Sequence, residues 1–329
     1  MDESDQSTRG RFAALGEVLF CLIAANAVIV LLRVAGLTPE LFGVSDDPAI
    51  NARTGLVDGL FIVLKFAAML AIGLVVFRRF HGLRPAAVGF GRAGHPWSAL
   101  VQRGVVLGCV AMLPWLVLMS ANALFEFGEG VAGWQQIEDA GLTADFVVFV
   151  LAAMVVVPPL MEEAAFRGYA RGRLQLAFGP VGAALITAVV FVFAHGHFYG
   201  LDVVLIGTQV AFIYASTVLA YDTYRSGSLV PAIIAHAMLN MPVNRDAITM
   251  FCELAIVIIV IAIAKNAVGA GFRQLRDDWS ATNAQAEVML FAAIAAGLMV
   301  ATMLYLPAAG LLVLFAVSGT IMSFLQRSR

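Results

Sequence analysis

Six polar side chains stand out against apolar surroundings. Glu162, Glu163 and Arg167 close the run Pro158-Pro159-Leu160-Met161-Glu162-Glu163-Ala164-Ala165-Phe166-Arg167, His195 follows Phe191-Val192-Phe193-Ala194, and His236 and Asn240 bracket Ala237-Met238-Leu239. Carboxylates and imidazoles are the side chains that move protons near neutral pH. Imidazole and amide N–H groups can also donate to a developing oxyanion. At about 100° per helical residue, Glu163 and Arg167 share a face in the Glu-before-Arg order that favours an ion pair, whereas Glu162 is turned off that face and is left to point at another helix. Phe191 and His195 are one turn apart on one face, as are His236 and Asn240. His197 sits about 200° round from His195 and is expected near the outer end of its span.

Each group also has a plain reading. The Glu pair can rest at a membrane surface beside Arg167, Arg171 and Arg173, and a histidine such as His195 can simply be hydrogen-bonded in packing. His236 and Asn240 can act as interhelical glue worth about 0.6–2 kcal/mol. Three polar outcrops on three neighbouring spans favour a site over glue. Glu17, Asp58, Lys65 and Glu253 occur singly in or near other apolar runs and are expected to be structural, by snorkelling or pairing between helices.

The elements that must position these groups follow from composition. Of 329 residues, 61% are hydrophobic and 13% charged, and mean hydropathy is +0.91, against roughly 25% charged in soluble domains. That excludes an ordinary soluble enzyme and a disordered chain. A net charge of −2 and three cysteines exclude a basic nucleic-acid binder and a disulfide scaffold. Cys21, Cys109 and Cys252 lie in apolar runs and read as small buried hydrophobes.

The chain is read as an all-α, polytopic transmembrane bundle, since a span needs about 20 mostly apolar residues. Spans are expected near 12–33, 58–77, 104–124, 145–161, 180–198, 203–222, 229–243, 247–265, 287–306 and 308–325: about ten, within a range of eight to ten. The fourth should continue as a helix to about residue 175, kinked near its proline pair. Placing the N-terminus in the cytoplasm puts sixteen of the twenty Lys and Arg on one side, as the positive-inside rule requires, so both termini are expected to be cytoplasmic. Segment 266–286 then falls on that side. Gly55/Gly59, Gly104/Gly108 and Gly196/Gly200 have the spacing that lets helices approach closely, and are given a packing role.

Taken in order, Glu162-Glu163-x-x-x-Arg167, Phe191-x-x-x-His195 and His236-x-x-x-Asn240 resemble the motif set of the CAAX-protease and bacteriocin-processing (CPBP, or Abi) family. Arg225-Ser226-Gly227-Ser228-Leu229-Val230-Pro231 leads into the third motif much as in family members. The resemblance covers about residues 145–245. It implies an intramembrane glutamic endopeptidase of a cell membrane, by analogy a bacterial inner membrane, acting on a membrane-associated protein or peptide. By position, Glu162 would be the general base and His195 its partner, His236 and Asn240 the oxyanion site, and Glu163 and Arg167 supporting residues. Residues 1–144 and 246–329 would supply flanking helices of a single membrane domain around a catalytic core at 145–245. The bilayer is the expected surroundings, with no nucleic acid and no cofactor.

Two other readings use the same residues. Glu162, His195 and His236 could furnish a two-His-one-Glu zinc site with an open fourth position, although no HExxH is present. Alternatively, the intramembrane Glu and His groups could line a proton or ion path in a transporter or channel.

Overall fold

The structure, a computed structural model, describes residues 3–34, 63–76, 78, 79, 82, 94–128, 155–195, 202–241, 247–282 and 285–300. Every regular element among them is helical, as an apolar chain must be when its backbone polar groups have to be satisfied within each segment. In chain order the helices are α1 (Glu3–Val34), α2 (Val63–Val76), α3 (Trp97–Phe125), α4 (Val157–Phe193), α5 (Val203–Ser226), α6 (Val230–Leu239), α7 (Ala247–Ile263), α8 (Lys265–Ser280) and α9 (Gln285–Val300). By length and composition α3, α4 and α5 can cross a membrane, and α7 with α8 adds a fourth if that bent pair is one span. Residues 145–154 of the expected span at 145–161, and the whole of the expected span at 308–325, lie outside the described residues.

Helix α4 is not one straight rod. Its 37 residues would extend about 55 Å at 1.5 Å per residue, nearly twice a hydrocarbon core. Gly179 breaks it with φ 71° and ψ 179°, and the limb after the break doubles back, since Glu162 and His195 from opposite ends meet at 3.9 Å. The break falls where the expected fourth and fifth spans are divided. Pro158 and Pro159 occupy the first turn of the α-helical segment, directly after π-helical Val155 and Val156; the preceding residues, on which the expected kink depends, lie outside the described residues. Ala164–Ala170 forms a wider π-helical stretch, a feature frequent at functional sites.

Around α4 the other helices are fixed by specific contacts. Helix α1 runs antiparallel to the first limb. Arg11 Nε donates to Ala177 O at 3.3 Å, a buried Arg173–Glu17 ion pair closes at 2.8 Å, and Cys21 Sγ lies 3.2 Å from Tyr169 Oη. Arg11 also pairs with Glu287 of α9. Glu17, expected to be structural, is therefore an α1–α4 tie. Gly73 of α2 faces the Tyr169 ring so closely that a Cβ there would lie 2.6 Å from it. Apolar side chains of α1, α2, both limbs of α4 and α9 form the main core.

Helices α5 and α6 make a tight turn whose residues explain its shape. Asp202 caps α5, accepting from Val204 N at 2.8 Å and Leu205 N at 3.3 Å. Gly227 ends it in the left-handed conformation (φ 62°), and Pro231 opens α6 within its first turn. Helix α6 then lies on α3, where Gly104 and Gly108 form its seat: Cβ atoms there would come within 2.8 Å of Ile234 Cβ and 2.6 Å of Met238 Sδ. The packing role expected for this glycine pair holds. Gly55/Gly59 and Gly196/Gly200 include residues outside the described set.

Candidate active site

The hairpin of α4 and the seating of α6 bring together residues that are 33 to 74 positions apart in sequence. Glu162 and Glu163, adjacent on α4, face different ways, as the helix geometry predicts. Glu163 is fully buried and lies 3.0 Å from Arg167 Nη1, an ionic contact without hydrogen-bond alignment. Its Oε1 also receives a hydrogen bond from His236 Nδ1 at 2.7 Å. The second bond was not foreseen and makes Glu163 the link between α4 and α6. Arg167 is 1% exposed and donates from Nη2 to Ser216 Oγ of α5 at 2.8 Å.

Glu162 points into the space between the two histidines. Its Oε2 is 3.9 Å from His195 Nε2 and 3.6 Å from His236 Nε2, distances beyond a direct hydrogen bond. The tautomers follow from the other ring nitrogens. His195 Nδ1 lies 2.7 Å from Phe191 O, an oxygen that only accepts, so Nδ1 carries the proton and the neutral ring turns the Nε2 lone pair toward Glu162. His236 Nδ1 is likewise held by a carboxylate oxygen. Glu162 and His236 are buried, whereas the His195 side chain keeps 22% of its exposure, so the site is reached past His195.

Phe191 organises the group more broadly than its place before His195 suggests. Its ring stands 4.3 Å from Arg167 Cζ in cation–π geometry, 4.6 Å from the His195 ring and 5.7 Å from the His236 ring, and it meets Phe166 edge-on at 5.0 Å. Asn240 lies one turn past His236 at the end of α6, half-buried, with its backbone N–H bonded to His236 O at 3.0 Å. His197 lies outside the described residues.

Two neighbours escaped the sequence reading. Ser216 is a serine in an apolar helix, a type common at helix contacts and so a weak signal. Lys65, expected to be structural, sits over the Phe66 ring at 4.5 Å and is near enough to Glu162 for its charge to act there.

The two motif carboxylates therefore have separate environments, one clamped by Arg167 and His236, one facing the Nε2 atoms of two imidazoles. Among the described residues, no set of three or more His, Cys, Asp or Glu groups is placed to hold a metal ion. Comparison with curated proteins and with solved structures found no match. Residues 144–242 match the family described as type II CAAX prenyl endopeptidase Rce1-like, a segment that contains all six polar residues singled out above. In that segment the chain is similar to the CAAX-protease family.

Proposed function

We propose that the chain is an intramembrane endopeptidase of the glutamic type, which hydrolyses a peptide bond in a membrane-associated protein or peptide. The observation that carries this reading is the pair of imidazole Nε2 atoms within 4 Å of one carboxylate oxygen of Glu162, inside the segment matching an endopeptidase family.

In the proposed reaction Glu162 is the general base and His195, fixed through Nδ1 to Phe191 O, orients the attacking water with its Nε2 lone pair. As the water oxygen adds to the scissile carbonyl carbon, its proton passes to Glu162. His236 enters the step with both ring nitrogens protonated and keeps both protons throughout, Nδ1–H held by Glu163 and Nε2–H directed at the oxyanion, with Asn240 as second donor. Collapse of the tetrahedral intermediate breaks the C–N bond, and the proton taken by Glu162 moves through His195 to the leaving amine. Glu163 and Arg167 keep His236 in place and do not touch the substrate.

Orientation follows the same logic. The turn at Gly179, the start of α3 and the end of α5 lie at one end of the bundle and carry Arg11, Arg103 and Arg225; this end faces the cytoplasm in a bacterial inner membrane, with about ten spans in all and both termini inside. The test is a comparison of membrane proteomes from cells bearing the wild type and Glu162→Ala. A membrane-associated peptide that is cut only by the wild type supports the reading, and identical proteomes from two equally abundant, folded proteins overturn it.

A further inference from the structure

A second cavity lies away from Glu162, between α3, α5 and α8. It measures about 530 Å³, within the ~300–1,000 Å³ of small-molecule sites. One wall is a single face of α3 from Ala99 to Val110, about 17 Å long at 1.5 Å per residue. The other walls are α5 from Val218 to Arg225 and α8 from Ala267 to Leu275. The lining is graded. Leu107, Val110 and Val218 make the inner part apolar, while His95, Arg103, Asp222 and Arg225 gather at the outer end.

Of the two guanidinium groups lining that end, one is held by a carboxylate and one, among the described residues, is not. Arg103 is neutralised by Asp222, with Nε at 2.9 and 3.0 Å and Nη2 at 2.7 Å from its oxygens. Asp278, the other nearby carboxylate, accepts from Tyr221 Oη at 2.6 Å. Arg225 is half-buried, reaches across to α8 at Gly271, and forms no hydrogen bond or ion pair among the described residues. A lone guanidinium beside an apolar slot is a receptor for one anionic head joined to one aliphatic chain.

Helix α8 completes the enclosure. It turns 80° from α7 and rests Leu275 and Trp279 on Val181, Ala184, Ala220 and Tyr221. Its exposed basic and acidic face and its angle to α7 suit a helix lying along the membrane surface, covering a site whose mouth is at headgroup level. Basic pockets between membrane helices at that level accept anionic lipid heads.

We infer that this cavity binds a single-chain amphipathic anion, its aliphatic chain along the α3 wall and its carboxylate or phosphate on Arg225. The site is separate from the proposed peptidase centre, and its occupancy does not depend on that chemistry. The experiment is native mass spectrometry of the full-length protein in detergent with palmitate, lysophosphatidylglycerol, lysophosphatidylcholine or inorganic phosphate. Palmitate and lysophosphatidylglycerol should be retained at one per chain, the zwitterion about tenfold less, and phosphate alone not at all. Retention of palmitate only identifies a fatty acid as the source, and retention of both anions identifies a phospholipid head as equally acceptable. Arg225→Gln should remove the preference for anions, and Ala270→Trp, at an exposed position on the cavity wall, should reduce every chain-bearing ligand about tenfold. Unchanged retention in a folded Ala270→Trp protein, equal binding of zwitterion and anion, or binding of phosphate alone overturns the proposal. Glu162→Gln should bind as the wild type does.

Discussion

Glu163 joins two helices through one oxygen: its Oε1 faces Arg167 Nη1 at 3.0 Å and His236 Nδ1 at 2.7 Å. Truncation at this position exposes both dependencies. Glu163→Ala leaves a guanidinium that is 1% exposed without its counter-charge, a loss of about 3–5 kcal/mol, to be read as a lower melting temperature and yield. Glu163→Gln keeps an acceptor for the His236 Nδ1 proton but removes the charge. It should fold better than the alanine variant yet turn over at least ~10²-fold more slowly, because the group that fixes a catalytic imidazole's tautomer carries that much or more in triad enzymes. A glutamine variant with wild-type turnover would remove Glu163 from the positioning of His236.

Glu162, by contrast, supports little of the fold. Among the described residues its carboxylate's ionic contacts are the two imidazoles, both beyond 3.5 Å. Glu162→Gln, nearly the same size, should leave melting within about 1 kcal/mol of wild type while cutting turnover by at least ~10²–10⁴-fold, the share of a general base. His195→Ala and His236→Ala should also abolish cleavage in inserted, folded protein. Full activity in Glu162→Gln would end the glutamate mechanism.

Metal dependence can be separated from this by chelation. Both histidines commit Nδ1 to a protein acceptor and present Nε2 to the same Glu162 oxygen at 3.6 and 3.9 Å, a convergence that the glutamate mechanism assigns to the attacking water. Cleavage should persist in phenanthroline, and the purified protein should carry far less than one zinc per chain. Inactivation by chelator that zinc reverses would restore the two-His-one-Glu reading.

What could be read from the sequence divides by range. The Glu163–Arg167 pair and the opposite facing of Glu162 are local consequences of helix geometry, and both stand. The Glu163–His236 bond spans 73 residues and depends on how α6 lies against its neighbours, which no periodicity encodes. Gly104 and Gly108 are recognisable as a close-packing pair, but their partner, Ile234 and Met238 of α6, is visible only in three dimensions. Phe191 is legible as a neighbour of His195 and not as the ring shared with Arg167 and His236.

The seat of α6 gives a prediction remote from the chemistry. Gly108→Val would drive a branched side chain into Met238 and the Ala235 backbone, whose Cα is 3.3 Å from the position of a Cβ. Because Ala235 adjoins His236, displacement of α6 opens the Glu163–His236 bond. Overpacking of this kind costs about 1–3 kcal/mol, and turnover should fall further than the melting temperature suggests. Gly10, with nothing within 4 Å of its Cβ position, is the control and should tolerate alanine in both measurements.

Gly179 provides the last and most direct test of how the site is assembled. No atom lies within 4 Å of a Cβ built there, so substitution creates no clash and acts through the backbone alone. Its φ of 71° with ψ of 179° lies in a region open essentially to glycine, distinct from the left-handed helical region that asparagine tolerates, and a side chain there costs about 1–3 kcal/mol. Gly179→Ala and Gly179→Asn should therefore destabilise by similar amounts, whereas at Gly227, with φ 62° and ψ 17°, asparagine should be tolerated better than alanine. Since the reversal at Gly179 sets Glu162 against His195, both Gly179 variants should also lose turnover. If alanine at Gly179 leaves melting and cleavage unchanged, the hairpin does not depend on this conformation, and another feature must hold the two ends of α4 together.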